Sequence, residues 1–206
     1  MTCMHGPNDI LDYWFGQGSF DLARLTERTT FWFGGDGRAA EARDAQIRAN
    51  LEPLLLRAAR GEFDSWAATP RRRLALILLF DQVPRNIYRG TVESFAFDAR
   101  ALALSFEGLQ LAADQALHPV ERLFFYLPLE HAESLEAQDA SVKACERLAD
   151  EAPAELREFF ADTLKYAHEH RDAIRRFGRF PYRNTALGRD STAEERDWLA
   201  SAAASR

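Results

Sequence analysis

Leu156-Arg-Glu-Phe-Phe-Ala-Asp-Thr-Leu-Lys-Tyr-Ala-His-Glu-His-Arg-Asp-Ala-Ile-Arg-Arg-Phe177-Gly178 is the stretch whose reading decides the fold class. Positions Leu156, Phe159, Phe160, Thr163, Ala167, Ile174 and Phe177 recur at three-and-four spacing, which is the period of one face of an α-helix. Pro153 suits a first helical turn and Gly178 suits a stop, so the spacing predicts one long amphipathic helix ending at Gly178. The same period runs outward in both directions. Residues 92 to 109 carry one stripe of Phe95, Ala99, Leu102, Phe106 and Leu109 and a second of Phe97, Ala101 and Leu104, which reads as a central helix. Pro119 opens a helix with Val120, Leu123, Phe124 and Leu127 that Pro128 should kink or break, and another helix runs from about Ser134 to Asp150, with Leu135, Gln138, Val142 and Cys145 along one side. Ser191-Thr-Ala-Glu194 has the capping-box pattern, placing a last helix start at about Thr192.

Nearer the N-terminus, Leu74 to Phe80 is apolar on every side, as a wholly buried helix would be. A short helix is expected around Ile10 to Phe15, then a Gly-rich connection, then a helix from about Ala39 to Arg60 with a kink at Pro53. Trp14-Phe15-Gly16 and Trp32-Phe33-Gly34 echo each other and read as helix ends whose rings anchor the N-terminal segment to the core; the rival is an exposed patch for a partner. No Asn-Gly hairpin, sustained alternation or glycine fingerprint between strand and helix signals is present, so the fold class is all-α, built of antiparallel helical hairpins.

With 206 residues, 47% apolar and 28% charged, the chain suits one domain, residues 1–206, with a core from about 9 to 200 and tails at 1–8 and 201–206. Its longest apolar run, Leu74 to Phe80, is far shorter than the roughly 18 residues of a membrane span. A net charge of −6 opposes a broad footprint on nucleic acid or an anionic membrane. Two cysteines make no disulfide framework and the N-terminus lacks the pattern of a secretory signal, so the expectation is a cytoplasmic protein.

Polar residues gather in two places. Asp81-Gln-Val-Pro-Arg85-Asn86-Ile-Tyr-Arg89-Gly90 follows the buried helix, and Pro84 and Gly90 predict irregular backbone there. Phe177-Gly-Arg179-Phe-Pro-Tyr182-Arg183-Asn184 through Arg189 repeats the order Pro, Arg-Asn, then Arg, and residues 175–189 hold five Arg and no acid. Two readings stand. Guanidinium groups can cap helix ends and pair with Asp81, Asp98 or Glu133, or both loops can converge on one cleft and hold a carboxylate or phosphate. At 100° per residue His170 lies roughly 40° from Leu156 and Ile174, facing inward, whereas His168 lies roughly 120° away, toward water. His131 extends the stripe of Val120, Leu123, Phe124 and Leu127 and should also face inward. With Asp81 or Glu133, these two histidines are the candidates for acid/base chemistry or metal binding, although Glu133, two residues after His131, points about 200° away on a continuous helix. No compact metal motif, nucleophile elbow or phosphate loop occurs. Neither a cofactor nor a metal is assigned. Cys145 reads as inert core, His118 as a helix-start residue, and Cys3 and His5 as tail residues.

Trp32-Phe33, Leu74 through Arg89, Phe95-Ala-Phe-Asp98, Tyr126-Leu-Pro-Leu-Glu-His-Ala-Glu133 with Gln138, and Arg176-Phe-Gly-Arg-Phe-Pro-Tyr-Arg-Asn184 through Thr192 together resemble the bacterial family catalogued as domain of unknown function 924. The likeness runs from about residue 9 to 200 and implies a tetratricopeptide-like right-handed superhelix, with no activity attached. This chain has Tyr182 where the family commonly has His and Ala132 where it commonly has Ser, each removing a polar group. The expected function is a binding module for a small anionic molecule or an acidic peptide, with Arg85, Asn86, Arg89, Asp98, Gln138, Arg179, Arg183 and Asn184 as its ligand-binding set. The alternative is a hydrolase-like enzyme using His131, His170, Asp81 and Glu133.

Overall fold

The computed structural model describes residues 6–18, 20, 22–34 and 37–204. Cys3 and His5 lie outside the described residues. Among those residues the chain is all-helical, with no strand. The main helices are α1 (Pro7–Phe15), α2 (Leu22–Phe33), α3 (Gly37–Ala59), α4 (Pro70–Ile77), α5 (Val83–Ile87), α6 (Asp98–Gln110), α7 (Pro119–Glu130), α8 (Leu135–Glu151), α9 (Arg157–Phe177) and α10 (Ala193–Ala204).

Helix α7 is the core of the arrangement, every side chain from Val120 to Glu130 being buried. His118 starts it by accepting from the Val120 N–H, and Glu121 closes the capping box by accepting from the His118 N–H. The two aromatic pairs of the N-terminal segment converge here. Phe124 meets Phe15 and Trp32 at ring separations of 5.2 and 4.6 Å, and the Trp32 indole donates to the Trp14 carbonyl. Each such fully buried ring or Leu contributes roughly 1.5–3 kcal/mol through removal from water. Phe33, the last residue of α2, stacks on the Phe124 ring at 6.0 Å and is 54% exposed on its other side.

Several expected boundaries move. Pro53 and Pro128 interrupt neither α3 nor α7. Pro128 falls in the last turn of α7 and leaves the carbonyl of Phe124, in the middle of the helix, without its helical donor. The expected helix over 92–109 divides into a 3₁₀ turn at Val92–Phe95 and α6, which starts only at Asp98. Helix α6 is not central: it buries the small face of Ala101, Ser105 and Gly108, because the Phe125 ring packs where a Cβ on Gly108 would stand, 2.3 Å from it. The last capping box is shifted by one residue from Ser191 and Glu194. Thr192 and Glu195 form it, each side chain accepting from the other's N–H. Cys145 is buried beside Val142 and Ala167, and burial pushes its thiol up to about 12, the inert state expected of it.

Among the described residues no helix is long and apolar enough to cross a membrane.

Candidate functional site

A cavity of about 550 Å³ lies between α2, α5, α7 and α9. Helix α8 packs against both α7 and α9, so two successive hairpins leave α7 and α9 running in the same direction along this cavity. Each helix changes chemistry along its length. Leu123 and Leu127 give way to Glu130 and His131 on α7, and Phe159 gives way to Asp162, Thr163, Tyr166 and His170 on α9. His170 Nδ1 comes within 3.4 Å of Glu130 Oε1, so the polar ends coincide. At a rise of about 1.5 Å per residue, Leu123 to His131 spans roughly 12 Å. Trp32 and Phe33 of α2 line it as well, and the half-exposed Phe33 and Tyr166 belong to its open side.

The polar end is built by a distortion of the buried helix. After Ile77 the chain widens into a π-turn over Leu78–Gln82, closed by the Val83 N–H donating to the Leu78 carbonyl five residues back. This turn lets Pro84, which has no N–H to donate, enter at the start of α5 without ending the helical path. The irregular loop expected at Asp81–Arg89 is therefore helical as far as Ile87. The consequence is chemical. Gln82, Arg85, Asn86 and Arg89 fall at three-and-four spacing and all line the cavity, while Asp81 is turned behind its wall.

Asp81, with its side chain 1% exposed, holds three neighbours. Its Oδ1 lies 2.8 Å from His131 Nδ1 and 3.1 Å from an Arg85 nitrogen, and its Oδ2 accepts from the Gln82 amide at 2.7 Å. Burial would raise this carboxyl, but Arg85 and His131 beside it hold it well below the ordinary carboxylate range. An ionised Asp81 makes Nδ1 the protonated nitrogen of His131 and leaves Nε2, on the opposite edge of the ring, as a free acceptor. Burial and the Arg85 guanidinium push His131 down to about 4, so the imidazole is neutral at pH 7. Glu130 moves the other way: burial raises its carboxyl, and His170 opposes the rise without cancelling it. Arg85 itself is occupied, forming a two-point bond to Asp98 at 2.8 and 2.9 Å and donating to the Asp81 carbonyl. Arg89 is the more available cation, 58% exposed and 3.2 Å from Asp44.

The sequence-derived set thus divides. Arg85, Asn86, Arg89, His131 and His170 line the cavity, with Asp81 bonded directly behind. The others do not line it. Asp98 joins Arg85 to Arg183, 3.6 Å away, and Arg183 lies against the Phe95 and Phe180 rings at 4.8 and 4.5 Å. Arg179 is held by Glu195 through bonds of 2.7 and 2.9 Å, and Asn184 donates to Ser191 and Glu195. Gln138 donates its amide to the carbonyls of Leu129, Glu130 and Ala132, closing the C-terminal end of α7. Glu133 is bound by Arg189 at 2.7 and 2.9 Å and accepts from the Phe180 N–H. The second Arg-Asn loop therefore meets the first through Asp98, outside the cavity, and its charges are consumed by Glu133, Glu195 and Asp98. His168 is half-buried against Arg171 rather than in water.

Sequence reasoning missed Glu130 and Gln82. A signal existed for Glu130, which follows Leu123 by seven residues and Leu127 by three and so shares their face. Gln82 offered none, because only the π-turn determines where it points. Among the described residues no three His, Cys, Asp or Glu side chains gather as a metal-holding group.

Fold and site together define an all-helical protein with one end of a cavity apolar and the other lined by Arg, Asn, Glu and His. The family model described as "Bacterial protein of unknown function (DUF924)" matches residues 10–203, and the chain belongs to that family. A solved structure, the protein of unknown function ATU0120 from Agrobacterium tumefaciens, is 36% identical; the match covers 94% of this chain and 96% of that one, with a TM-score of 0.75. No curated protein matches the chain.

Proposed function

We propose that the cavity binds a small molecule with an apolar body and an anionic head, the body lying along Leu123, Leu127, Phe159 and Trp32 and the head near Asn86 and Arg89. The observation that carries this reading is the change from apolar to polar lining along both α7 and α9. A volume of about 550 Å³ is that of a small-molecule site, which favours a compact ligand over an extended acidic peptide. Arg89 supplies the head's counter-charge, because its bond to Asp44 is exposed and readily exchanged. The hairpins formed by α7, α8 and α9 also support a tetratricopeptide-like superhelix, and the contiguous core from Ile10 to Phe160 supports one domain over about residues 9–200.

Decanoate tests the reading, since its extended chain matches the length between Leu123 and His131. Saturating decanoate at a hundred times its dissociation constant should stabilise the fold by about 2.7 kcal/mol, seen as a higher melting temperature. Phe159→Asp should abolish that shift. An unchanged melting temperature for the parent protein at millimolar decanoate would reject the proposal.

A further inference from the structure

We infer that His131 is a general base for the hydrolysis of medium-chain acyl esters, oriented by Asp81 and aimed at the head of a ligand whose apolar chain occupies the cavity; this rests on the binding reading above. Three independent features of the geometry point to it. The Asp81 carboxylate is fixed by Arg85 and Gln82 as well as by its bond to His131, so the ring orientation is over-determined. His131 is the C-terminal cap of α7, and the Gln138 amide bonds to the carbonyls around it hold the backbone from which the ring projects. The side chain is 16% exposed and lines the cavity, and no described protein group bonds its Nε2. A carboxylate, an imidazole and an open position beyond the free nitrogen form the base-and-orienter arrangement of acid/base catalysis.

In the reaction, a water molecule held at Nε2 attacks the acyl carbon. The new carbon–oxygen bond forms as one water proton passes to Nε2, giving an imidazolium ion beside Asp81 and a tetrahedral oxyanion. Arg89 is the cation placed to stabilise that oxyanion. Collapse breaks the bond to the alcohol oxygen, which takes the proton from Nε2, leaving the carboxylic acid and the alcohol and restoring neutral His131. Water is the nucleophile, so no covalent intermediate forms. Asp81 is a positioning residue: it touches the imidazole and not the substrate.

The charged and titratable groups beside the ring or sharing its cavity are Asp81, Arg85, Arg183, Arg89, Glu130, Asp162, Tyr166 and His170. Because Arg85 and Arg183 oppose a charge on His131 while Asp81 favours it, the base form persists in mild acid. Hydrolysis should be level above about pH 5 and fall about tenfold per pH unit below about 4.

The test uses the full chain with p-nitrophenyl decanoate as substrate and decanoate as the binding probe. The parent should release p-nitrophenol above the buffer rate. His131→Gln should lower the rate at least about a hundredfold while decanoate still raises the melting temperature. Asp81→Asn should lower the rate about tenfold or more and move the acid limb to lower pH, because the charge that favours imidazolium is gone. If Asp81→Asn fails to fold, the His131→Gln result decides. Decanoate binding without turnover, or turnover unaffected by His131→Gln, overturns the assignment of the base and leaves the binding site intact. Absence of decanoate binding to the parent overturns the binding reading, and this inference falls with it.

Discussion

Residues 81–89 and 177–189 use the same letters to opposite ends. The first follows a wholly buried helix and the second an amphipathic one, and both continue with Pro, Arg-Asn and a further Arg. In the first, the π-turn carries the helix past Pro84, so Arg85, Asn86 and Arg89 share one face and border the cavity. In the second, Gly178 ends α9 in the left-handed conformation and the chain turns, so Arg179, Arg183 and Arg189 point in different directions and each finds an internal carboxylate. What decides whether an arginine is available is the path of the backbone and the supply of nearby acids. The motif alone does not.

The largest effect should come from Arg85, which divides its charge between a fully buried Asp81 and Asp98. Arg85→Met leaves both carboxylates without their main partner and should destabilise by about 4 kcal/mol, measured by denaturant unfolding. Arg183→Met removes a charge 3.6 Å from Asp98 and contacts with the Phe95 and Phe180 rings. Its cost should be about 2 kcal/mol, because Asp98 keeps its two bonds to Arg85. Equal costs would mean that the two stretches carry the structure alike and that the first is not the electrostatic centre.

Acid separates the two regions next. The folded His131 gains its proton only near pH 4, whereas the unfolded chain gains it near 6.5, so the unfolded state is favoured progressively as pH falls between these values. About 3 kcal/mol of stability, fully present at pH 7, should be lost over that window. His131→Gln should flatten it. Glu130 and Asp98, raised by burial above their ordinary values, run the opposite way, so the difference between parent and variant isolates His131. In the second region, Arg189 and the Phe180 N–H hold Glu133 below its ordinary value; its contribution is present above about 4.5 and lost only in stronger acid. A parent protein and a His131→Gln variant with the same change of stability between pH 7 and pH 4.5 would break the contrast.

Gly178 gives a smaller effect on the second region alone. Its φ is 69°, and no atom lies within 4 Å of the place a Cβ would take. Gly178→Ala should therefore cost about 1 kcal/mol, purely from the left-handed backbone. The equilibrium melt measures it.

Much of the fold was legible because periodicity reports burial. The long helix ended at Gly178, His118 began α7, and Ser134 capped α8 as the pattern implied. Pro84 misled because its usual meaning assumes α-helical register, and one extra residue in a π-turn removes the conflict. The site was legible where a residue lay on a helical stripe, as His131 and His170 did. Asp98, Arg179, Arg183, Asn184 and Glu133 were drawn into the same set by composition, which says nothing about direction, and Gln138, on the inward stripe of α8, meets the end of α7 rather than the cavity. Their partners lie as far apart in sequence as Glu133 and Arg189, a pairing that only the packed chain creates.

The smallest expected change in stability is also the most informative about the cavity. Arg89 is 58% exposed and holds Asp44 at 3.2 Å, with a longer bond of 3.4 Å to the Asn86 side-chain oxygen. An ion pair this exposed is screened by water and salt, so Arg89→Gln should change stability by no more than about 0.5 kcal/mol. If Arg89 is the exchangeable cation of the first stretch, the same substitution should weaken decanoate binding about tenfold, because the bound carboxylate loses a charged donor while the apolar wall is unchanged. The matching substitution in the second stretch, Arg189→Gln, removes a cation already bound to Glu133 and should leave decanoate binding unaltered. Titration of both variants with decanoate at low and physiological salt distinguishes them. An equal loss of affinity in both would show that the second loop reaches the ligand after all, and an equal absence of loss would remove Arg89 from the site.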